Sequence, residues 1–203
     1  MRIGVLALQG AFREHVRMLR KLGAAAVEVR LPADLADLDG LIIPGGESTT
    51  IGKLAQAFGL MEPLRRFARE KPVWGTCAGM IFMARDIGRD QPLLGVMDIV
   101  VERNAFGRQV DSFEVALEVP ALPSLPSANG SAPAPYHAVF IRAPRLVAAE
   151  NGVTILARLA DGTAVAAQEG HWLVTSFHPE LTDDPRFHQY FLRMVAMAQT
   201  APG

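Results

Sequence analysis

Residues 71–85 read KPVWGTCAGMIFMAR, and this stretch decides the fold that we predict for the chain. It starts as a buried apolar strand and continues, from residue 80 onward, as a helix. Between the two, Gly75, Cys77 and Gly79 form a Gly-x-Cys-x-Gly turn, which is similar to the G-x-S-x-G elbow with sulfur in place of oxygen. A strand, a tight turn and a helix in this order are typical of an α/β protein with a site at the turn.

Cys77 is the only cysteine in the 203 residues. The glycines around it permit a tight turn that lifts its side chain out of the sheet. A helix N-terminus behind the sulfur favours the thiolate over the thiol. We therefore interpret Cys77 as a candidate nucleophile. A buried structural thiol is the alternative, because free cysteine is among the most buried residue types.

Strands and helices alternate along the first 90 residues of the sequence. Apolar periodicity predicts strands at 2–8, 27–31, 41–43 and 73–74, and helices at 11–22, 51–58 and 61–70. This alternation indicates βαβ units, right-handed crossovers and a parallel sheet. Gln9, the glycines at 45–46 and Cys77 all follow predicted strands, and sites form at the carboxyl ends of such strands.

The second half of the sequence predicts an antiparallel extension of that sheet. Strands are expected at 94–101, 113–119, 139–141, 153–159, 163–168 and 172–177, with a last helix after Asp184-Pro185. Five prolines between 120 and 135 break this pattern, so residues 120–137 are interpreted as a proline-rich surface insertion. The whole chain, residues 1–203, is predicted to be a single α/β domain with a mostly parallel central sheet.

The composition is that of an ordinary globular chain. Half of the residues are hydrophobic, 20% are charged and the net charge is -1, so nothing suggests nucleic acid or a membrane surface as a partner. No apolar run is long enough for a membrane span and no signal-peptide pattern is present. One cysteine cannot form an internal disulfide, and we expect a cytoplasmic protein. No Cys/His cluster has zinc spacing, so no metal is expected.

A candidate base follows the predicted strand at 172–177. His178 and Glu180 are two residues apart, so in an extended chain their side chains point the same way. A carboxylate beside an imidazole fixes its tautomer and stabilises the imidazolium, which suits a base for Cys77. A solvent-exposed His and Glu at a strand end are the alternative. His15, on the first predicted helix, is interpreted as structural.

Gly45 and Gly46 stand between a strand and a helix, where their backbone N–H groups are placed to stabilise a developing oxyanion. A plain turn is the alternative. The segment also comes close to a phosphate loop through Gly46, Gly52 and Lys53. It has one spacer residue too many, however, and Leu54 stands where a magnesium-binding Ser or Thr is needed, so ATP binding is rejected.

Two arginines follow predicted apolar strands in a similar way. Arg103 opens a polar cluster at 102–109, and Arg142 lies in the segment FIRAP. Arginines at strand ends suit the recognition of a carboxylate or a phosphate. Solvated surface arginines are the alternative.

Six segments of the sequence together resemble one known family. They are LQGAFREH (8–15), PGGEST (44–49), GTCAGM (75–80), ERNAFGRQVDSFE (102–114), FIRAP (140–144) and SFHPELTDD (176–184). The set is similar to that of the glutaminase subunits of pyridoxal 5'-phosphate synthase, a branch of the class I glutamine amidotransferases. The GxCxG and HPE elements are shared across that superfamily, whereas ERNAFGRQVDSFE with FIRAP is specific to the vitamin B6 branch.

The resemblance, which spans residues 2–197, implies a flavodoxin-like three-layer fold and the hydrolysis of L-glutamine to L-glutamate and ammonia, with no cofactor. It implies a triad in which Cys77 attacks the carboxamide, His178 shuttles the proton and Glu180 orients the imidazole. Gly46 and Ala78 match the residues whose N–H groups hold the oxyanion. The positions that match glutamine-binding residues of the family are Gly46, Glu47, Ser48, Arg103, Ile141 and Arg142.

The resemblance also implies a partner protein. Family members deliver ammonia to a synthase subunit, a TIM barrel that builds the cofactor from ribose 5-phosphate and glyceraldehyde 3-phosphate, in an assembly of twelve plus twelve subunits. Gln9 lies beside the expected oxyanion loop and is the candidate for sensing that partner. Family members usually have a shorter link before FIRAP, so the insertion at 120–137 departs from the family pattern without touching a catalytic motif.

Two other classes of function stay open from the residues alone. A cysteine peptidase or thiol hydrolase would need an open peptide groove, whereas the arginine cluster suggests a small charged ligand. A redox-sensing protein would use Cys77 as a reactive thiol and would not need His178 and Glu180. Release of ammonia from glutamine distinguishes a glutaminase from both.

Overall fold

The computed structural model describes residues 1–103, 112–123 and 134–200. In this part of the chain the α-helices are α1 Phe12–Lys21, α2 Ser48–Ala57, α3 Met61–Glu70, α4 Ala78–Met83 and α5 Arg186–Thr200. The strands are β1 Arg2–Leu6, β2 Ala25–Val29, β3 Gly40–Ile43, β4 Val73–Thr76, β5 Ala84–Asp86, β6 Met97–Glu102, β7 Ser112–Leu117, β8 Tyr136–Ile141, β9 Arg145–Ala149, β10 Thr154–Arg158, β11 Ala164–Glu169 and β12 Trp172–Thr175. None of these helices is long and apolar enough to cross a membrane.

The centre of the main sheet consists of five parallel strands in the order β2-β1-β3-β4-β12. Antiparallel pairing then continues the sheet through β11, β9 and β6, while β10 pairs with β11 and the short β5 runs parallel to β6 at the far edge. β7 and β8 form a separate antiparallel pair. The predicted α/β class, with a parallel centre and an antiparallel extension, is confirmed.

Alternate residues of the central strands face two different hydrophobic cores, because side chains alternate across a sheet. Ile42 and Trp74 lie in a core that is closed by α1 and α5. Their neighbours Ile43 and Val73 lie in the core that is closed by α2, α3 and α4. Helices therefore cover both faces of the sheet, which is the expected three-layer arrangement.

Two element boundaries differ from the sequence prediction. Helix α4 ends at Met83, because Ala84–Asp86 pairs with β6 as an edge strand, so the predicted helix through Arg85 is too long. Strand β9 is not predicted from the sequence. Two of its five residues are alanine, a residue with low strand preference, and it lies directly after the turn that follows β8.

The predicted insertion at 120–137 overlaps strand β8, which begins at Tyr136. Residues 124–133 lie outside the described part of the chain, so the surface position of the insertion stays a prediction. Most of the segment ERNAFGRQVDSFE, at 104–111, is likewise outside the described residues.

Arg186, the first residue of α5, holds the chain directly before β8. Its guanidinium donates hydrogen bonds to the carbonyls of Ala134 and Pro135, at 2.6 and 2.9 Å. The same group pairs with Asp184 and stacks over the ring of Tyr136, and Arg186 is only 3% exposed. The last helix therefore fixes the entry into strand β8.

Candidate active site

Cys77 occupies a strained turn between β4 and α4. Its backbone angles are φ 47° and ψ -103°, in a region that residues with a side chain rarely adopt. A conformation of this kind costs about 1–3 kcal/mol and persists only where the surroundings enforce it. The Cys77 N–H donates to the carbonyl of Thr175 on the neighbouring strand, at 2.8 Å, and this bond helps to hold the turn.

The glycines on either side of Cys77 are sterically required. A Cβ on Gly79 would overlap the carbonyl oxygen of Ile43, and a Cβ on Gly75 would lie 2.6 Å from the carbonyl of Gly79. The helix thus approaches the sheet more closely than any side chain would allow. The sequence predicted that these glycines permit a tight turn, but the positive φ of the turn falls on Cys77, and Gly75 and Gly79 are needed for the close approach.

His178 and Glu180 are paired directly after β12. Nδ1 of His178 lies 2.7 Å from Oε1 of Glu180, and the two side chains are 10% and 0% exposed. The chain between them is not extended as the sequence suggested, because Pro179–Leu181 forms a 3₁₀ turn. The expected pair of His178 and Glu180 therefore forms. The 3₁₀ turn brings the two side chains together, and the alternation of side chains along a strand plays no part.

Cys77 and His178 meet at the carboxyl ends of the adjacent parallel strands β4 and β12. Gly45, after the next strand β3, completes the cluster. A Cβ placed on Gly45 would lie 2.8 Å from Nδ1 of His178 and 3.3 Å from Cβ of Cys77. The three residues come together because the carboxyl ends of parallel neighbours share one edge of the sheet.

The environment of His178 favours the imidazolium. Burial alone would lower its pKa, but hydrogen bonds and charge interactions with Cys77 and Glu180 outweigh burial and raise the pKa of His178 to about 10. The residue is therefore cationic near neutral pH. An imidazolium at this place can donate a proton to a leaving group beside the sulfur.

Gln9 connects the glycine loop to the first strand. Its side-chain oxygen Oε1 accepts a hydrogen bond from the N–H of Glu47, at 2.7 Å. The carbonyl of Gly45 accepts from the N–H of Ala11, at 3.0 Å. A Cβ on Gly10 would overlap that carbonyl, so Gly10 is required for the approach. The loop is thus held by the residues that enter helix α1.

Glu47 and Arg103 form an ion pair beside this loop. Oε1 of Glu47 lies 2.9 Å from a guanidinium nitrogen of Arg103. The same carboxylate caps α2, where it accepts hydrogen bonds from the N–H groups of Thr49 and Thr50. Burial raises its pKa, but the hydrogen bond from the Thr50 hydroxyl, at 2.8 Å, and those from the two N–H groups outweigh burial and lower the pKa of Glu47 to about 2. Glu47 therefore stays anionic.

Gln91 is a residue of this region that sequence reasoning missed. Its side-chain oxygen accepts from Arg103, at 2.8 Å, and from the hydroxyl of Thr49, at 3.1 Å. Its side-chain nitrogen donates to the hydroxyl of the buried Ser48, at 3.3 Å. Gln91 lies in an irregular segment without a motif, so no local signal in the sequence pointed to it.

Ile141 and Arg142 lie at the end of β8, where the chain approaches the sulfur. The Cys77 sulfur is 3.9 Å from the carbonyl oxygen of Ile141, the last residue of β8. Arg142 follows with φ 43° and an exposed side chain. Both predicted binding positions are therefore at the rim of the same cluster.

His15, which the sequence suggested to be structural, contacts the candidate triad. It is fully buried on α1, and its Nε2 lies 3.3 Å from Oε2 of Glu180. His188 of α5 lies behind it, with Nε2 2.9 Å from Nδ1 of His15. Each histidine falls on the inner side of an amphipathic helix, where an imidazole has no distinctive pattern in the sequence.

Comparison with solved structures places the chain in the class of glutamine amidotransferases. A solved structure described as "Crystal structure of glutamine amidotransferase" superposes with a TM-score of 0.87 at 49% sequence identity, covering 96% of this chain and 98% of the other. The structure of PurLQS from Thermotoga maritima shares the fold, with a TM-score of 0.68 at 17% identity over 95% of this chain and 97% of that chain.

Within that class, the chain belongs to the SNO glutamine amidotransferase family, whose family model matches residues 5–197. A protein of Herpetosiphon aurantiacus named "Pyridoxal 5'-phosphate synthase subunit PdxT" is 56% identical over 197 residues, which is 95% of this chain and 99% of the relative. A protein of the same name from Dehalococcoides mccartyi is 58% identical over 198 residues, 96% of this chain and 97% of the relative.

Proposed function

We propose that the chain hydrolyses L-glutamine to L-glutamate and ammonia through Cys77, His178 and Glu180, as the glutaminase subunit of a pyridoxal 5'-phosphate synthase. One observation carries the proposal: Cys77 and His178 both lie against Gly45 at the ends of two adjacent parallel strands, and Nδ1 of His178 is paired with Glu180. Membership of the family supports glutamine as the substrate, and the names of the relatives support the synthase.

In the first half of the reaction the Cys77 sulfur attacks the carboxamide carbon of glutamine, and the carbonyl π electrons move to the oxygen. The resulting oxyanion needs nearby N–H donors. Ala78 is the first residue of α4, so its N–H has no acceptor within the helix. The Gly45 carbonyl faces Ala11, so the trans peptide turns the N–H of Gly46 the opposite way, and this N–H is the second donor that we propose for the oxyanion.

Collapse of this intermediate breaks the carbon–nitrogen bond and leaves a glutamyl thioester on Cys77. The departing nitrogen takes a proton from the imidazolium of His178 and leaves as ammonia. Neutral His178 then accepts a proton from water, whose oxygen attacks the thioester. The sulfur leaves as thiolate and glutamate is released, so the residues return to their starting charges. Glu180 holds the ring and stabilises its cation.

The charges around the loop suit the α-amino-acid end of glutamine. Arg103 and Arg142 supply positive charge for the α-carboxylate, and the anionic Glu47 supplies negative charge for the α-ammonium. Ser48 and the backbone at Gly46 and Ile141 complete the predicted binding positions. Glutamine bound in this way has its amide over the sulfur.

The proposal includes the partner that the relatives' names indicate. Ammonia would pass to a synthase subunit that builds pyridoxal 5'-phosphate from ribose 5-phosphate and glyceraldehyde 3-phosphate, in an assembly of twelve plus twelve subunits. Gln9 is proposed to sense that subunit, because its hydrogen bond to the N–H of Glu47 couples the start of helix α1 to the oxyanion loop.

Glutamate and ammonia measured from purified chain, with and without the cognate synthase, test this function. We expect release of both in equal amounts when the synthase is present, and none from Cys77→Ala. As a control, the Cys77→Ala assembly should still make pyridoxal 5'-phosphate from an ammonium salt, because only the nitrogen source is lost. A wild-type assembly that releases no glutamate would refute the proposal, and cleavage of peptides without ammonia would indicate a peptidase.

A further inference from the structure

A cluster of three fully buried polar side chains adjoins Glu180 through His15. They are His15 on α1, His188 on α5 and Thr76 at the end of β4. Nε2 of His15 lies 3.3 Å from Oε2 of Glu180 and 3.3 Å from the hydroxyl of Thr76. Nδ1 of His15 lies 2.9 Å from Nε2 of His188. The proposed reaction gives none of these three residues a role.

Two buried atoms of this cluster, one on Glu180 and one on His188, lack a well-formed hydrogen bond. Among the residues that the structure describes, Oε2 of Glu180 and Nδ1 of His188 are the buried side-chain nitrogen or oxygen atoms without a well-formed hydrogen bond. A buried carboxylate oxygen without a donor is costly. Nε2 of His15 lies 3.3 Å from this oxygen and equally far from the hydroxyl of Thr76, so a proton on Nε2 is shared between the two acceptors.

The tautomers of the two histidines follow from these contacts. If His15 carried its proton on Nδ1, its Nε2 lone pair could accept from the Thr76 hydroxyl but would also face the Glu180 carboxylate, and His188 would bury an Nδ1–H without an acceptor. If His188 instead donates from Nε2 to Nδ1 of His15, then His15 carries its proton on Nε2 and presents it to Glu180. In this second arrangement only a lone pair on Nδ1 of His188 lacks a hydrogen-bond donor, so this arrangement is favoured.

Both histidines are neutral in the folded chain. Burial lowers the pKa of His15 well below its ordinary value, and the nearby His188 and His178 lower it further. Burial lowers the pKa of His188 to about 3. Glu180 therefore faces one cation, His178, and one neutral donor, His15. A second cation on His15 would compete with His178 for the carboxylate.

We propose that His15 is a positioning residue for the proposed triad, whose Nε2–H holds one oxygen of Glu180 so that the other oxygen faces Nδ1 of His178. His188 acts one step further away by setting the tautomer of His15. This inference rests on the proposed glutaminase function and deepens it. It differs from a packing role, in which the His15 ring would serve only by its contact with Trp74, 5.6 Å between centroids.

The substitutions His15→Phe and His15→Gln separate positioning from packing. Phenylalanine keeps the ring but has no donor, whereas the glutamine amide can place an N–H near the position of Nε2. In the complete assembly with its synthase, we expect His15→Phe to lower kcat for glutamine about tenfold to a hundredfold with little change in KM. His15→Gln should retain most of the activity. His171→Gln, at a histidine that bonds the carbonyl of Ala68 far from the site, is the matched control and should match wild type.

If His15→Phe does not fold, His15→Asn replaces it. The shorter amide can reach His188 but not Glu180, so positioning predicts that His15→Asn is much slower than His15→Gln. Equal activity of these two variants, or wild-type activity of His15→Phe, would overturn the proposal.

NMR titration of His178 gives a readout that needs no glutamine turnover. The groups that face its ring are Cys77 and Glu180, and Glu180 in turn faces His15. We expect a lower pKa for His178 in the donor-free His15 variant and a wild-type pKa in His15→Gln, because only a held carboxylate stabilises the imidazolium fully. An unchanged pKa in both variants contradicts positioning even if the wild-type chain proves inactive toward glutamine.

Discussion

Gly45 and His178 face each other at the ends of β3 and β12 without space for a side chain between them. A Cβ on Gly45 would lie 2.8 Å from Nδ1 of His178 and 3.3 Å from Cβ of Cys77. The absence of a side chain at position 45 is therefore part of the geometry of the candidate triad. This relationship leads to the first prediction.

Gly45→Ala should displace the His178 ring and reduce glutaminase activity about a hundredfold, since a misplacement of about 1 Å is sufficient for such a loss. Steady-state ammonia release by the assembly measures this effect. Gly59→Ala is the control, because a methyl group there meets nothing within 4 Å. Its positive φ of 66° lowers stability, but kcat should stay at the wild-type value. Full activity of Gly45→Ala would contradict the prediction.

Cys77→Gly should be more stable than Cys77→Ala. Both variants lose the sulfur, but only glycine adopts a φ of 47° and a ψ of -103° without steric cost. The expected difference is about 1 kcal/mol in the free energy of unfolding. Urea denaturation of the two inactive variants measures it. Equal stability would show that the turn at position 77 carries no strain.

Arg103→Lys should raise KM for glutamine about tenfold with a smaller effect on kcat. Lysine cannot reproduce the planar guanidinium that contacts Glu47, Thr49 and Gln91 together. Initial rates over a range of glutamine concentrations separate the two constants. Arg158→Lys, at an exposed arginine that bonds the carbonyl of Gly162, should leave both unchanged. A loss confined to kcat would remove Arg103 from substrate binding.

Folding stability should fall as the pH is lowered from about 6.5 toward 3, in part because of His188, whose folded pKa is about 3. The unfolded chain binds a proton there below about pH 6.5 and the folded chain does not, so each such histidine costs up to about 1.4 kcal/mol per pH unit. The raised pKa of His178 has the opposite effect. The stability that His178 contributes is fully present below about pH 6.5 and is lost as the pH rises toward about 10.

Urea denaturation between pH 7 and pH 4 tests the predicted loss of folding stability at low pH. The variant His188→Phe should show a shallower decline than wild type. His137→Phe is the control, because the side chain of His137 is 57% exposed, and its decline should match wild type. Parallel declines for all three proteins would mean that His188 is protonated in the folded chain.

Arg186→Met should destabilise the fold by about 2–4 kcal/mol, since the buried guanidinium satisfies Asp184 and the carbonyls of Ala134 and Pro135. For a chain of this size the change corresponds to a drop in Tm of about 4–16 °C. Arg193→Met, at an exposed position of the same helix, should change Tm by less than about 2 °C. A small effect at position 186 would show that the entry into β8 is held by other contacts.

Local sequence patterns were sufficient for the features that depend on neighbouring residues. The elbow around Cys77, the glycine loop at 45–46 and the strand before His178 are each encoded by a few consecutive residues. Their meeting at one edge also follows from sequence, because the carboxyl ends of parallel strands lie together. The assumption of an extended chain from His178 to Glu180 was wrong, since Pro179 starts a 3₁₀ turn that periodicity does not signal.

The sequence by itself determined the α/β class, the nucleophile candidate and its likeness to one amidotransferase family. Only the tertiary structure showed that His15 and His188, on the first and last helices, lie behind Glu180. The physical reason is that an apolar stripe specifies which face of a helix is buried, but not which side chain of another helix it meets. Contacts between elements far apart in the chain depend on packing, and at this site packing sets the hydrogen bonding of the carboxylate.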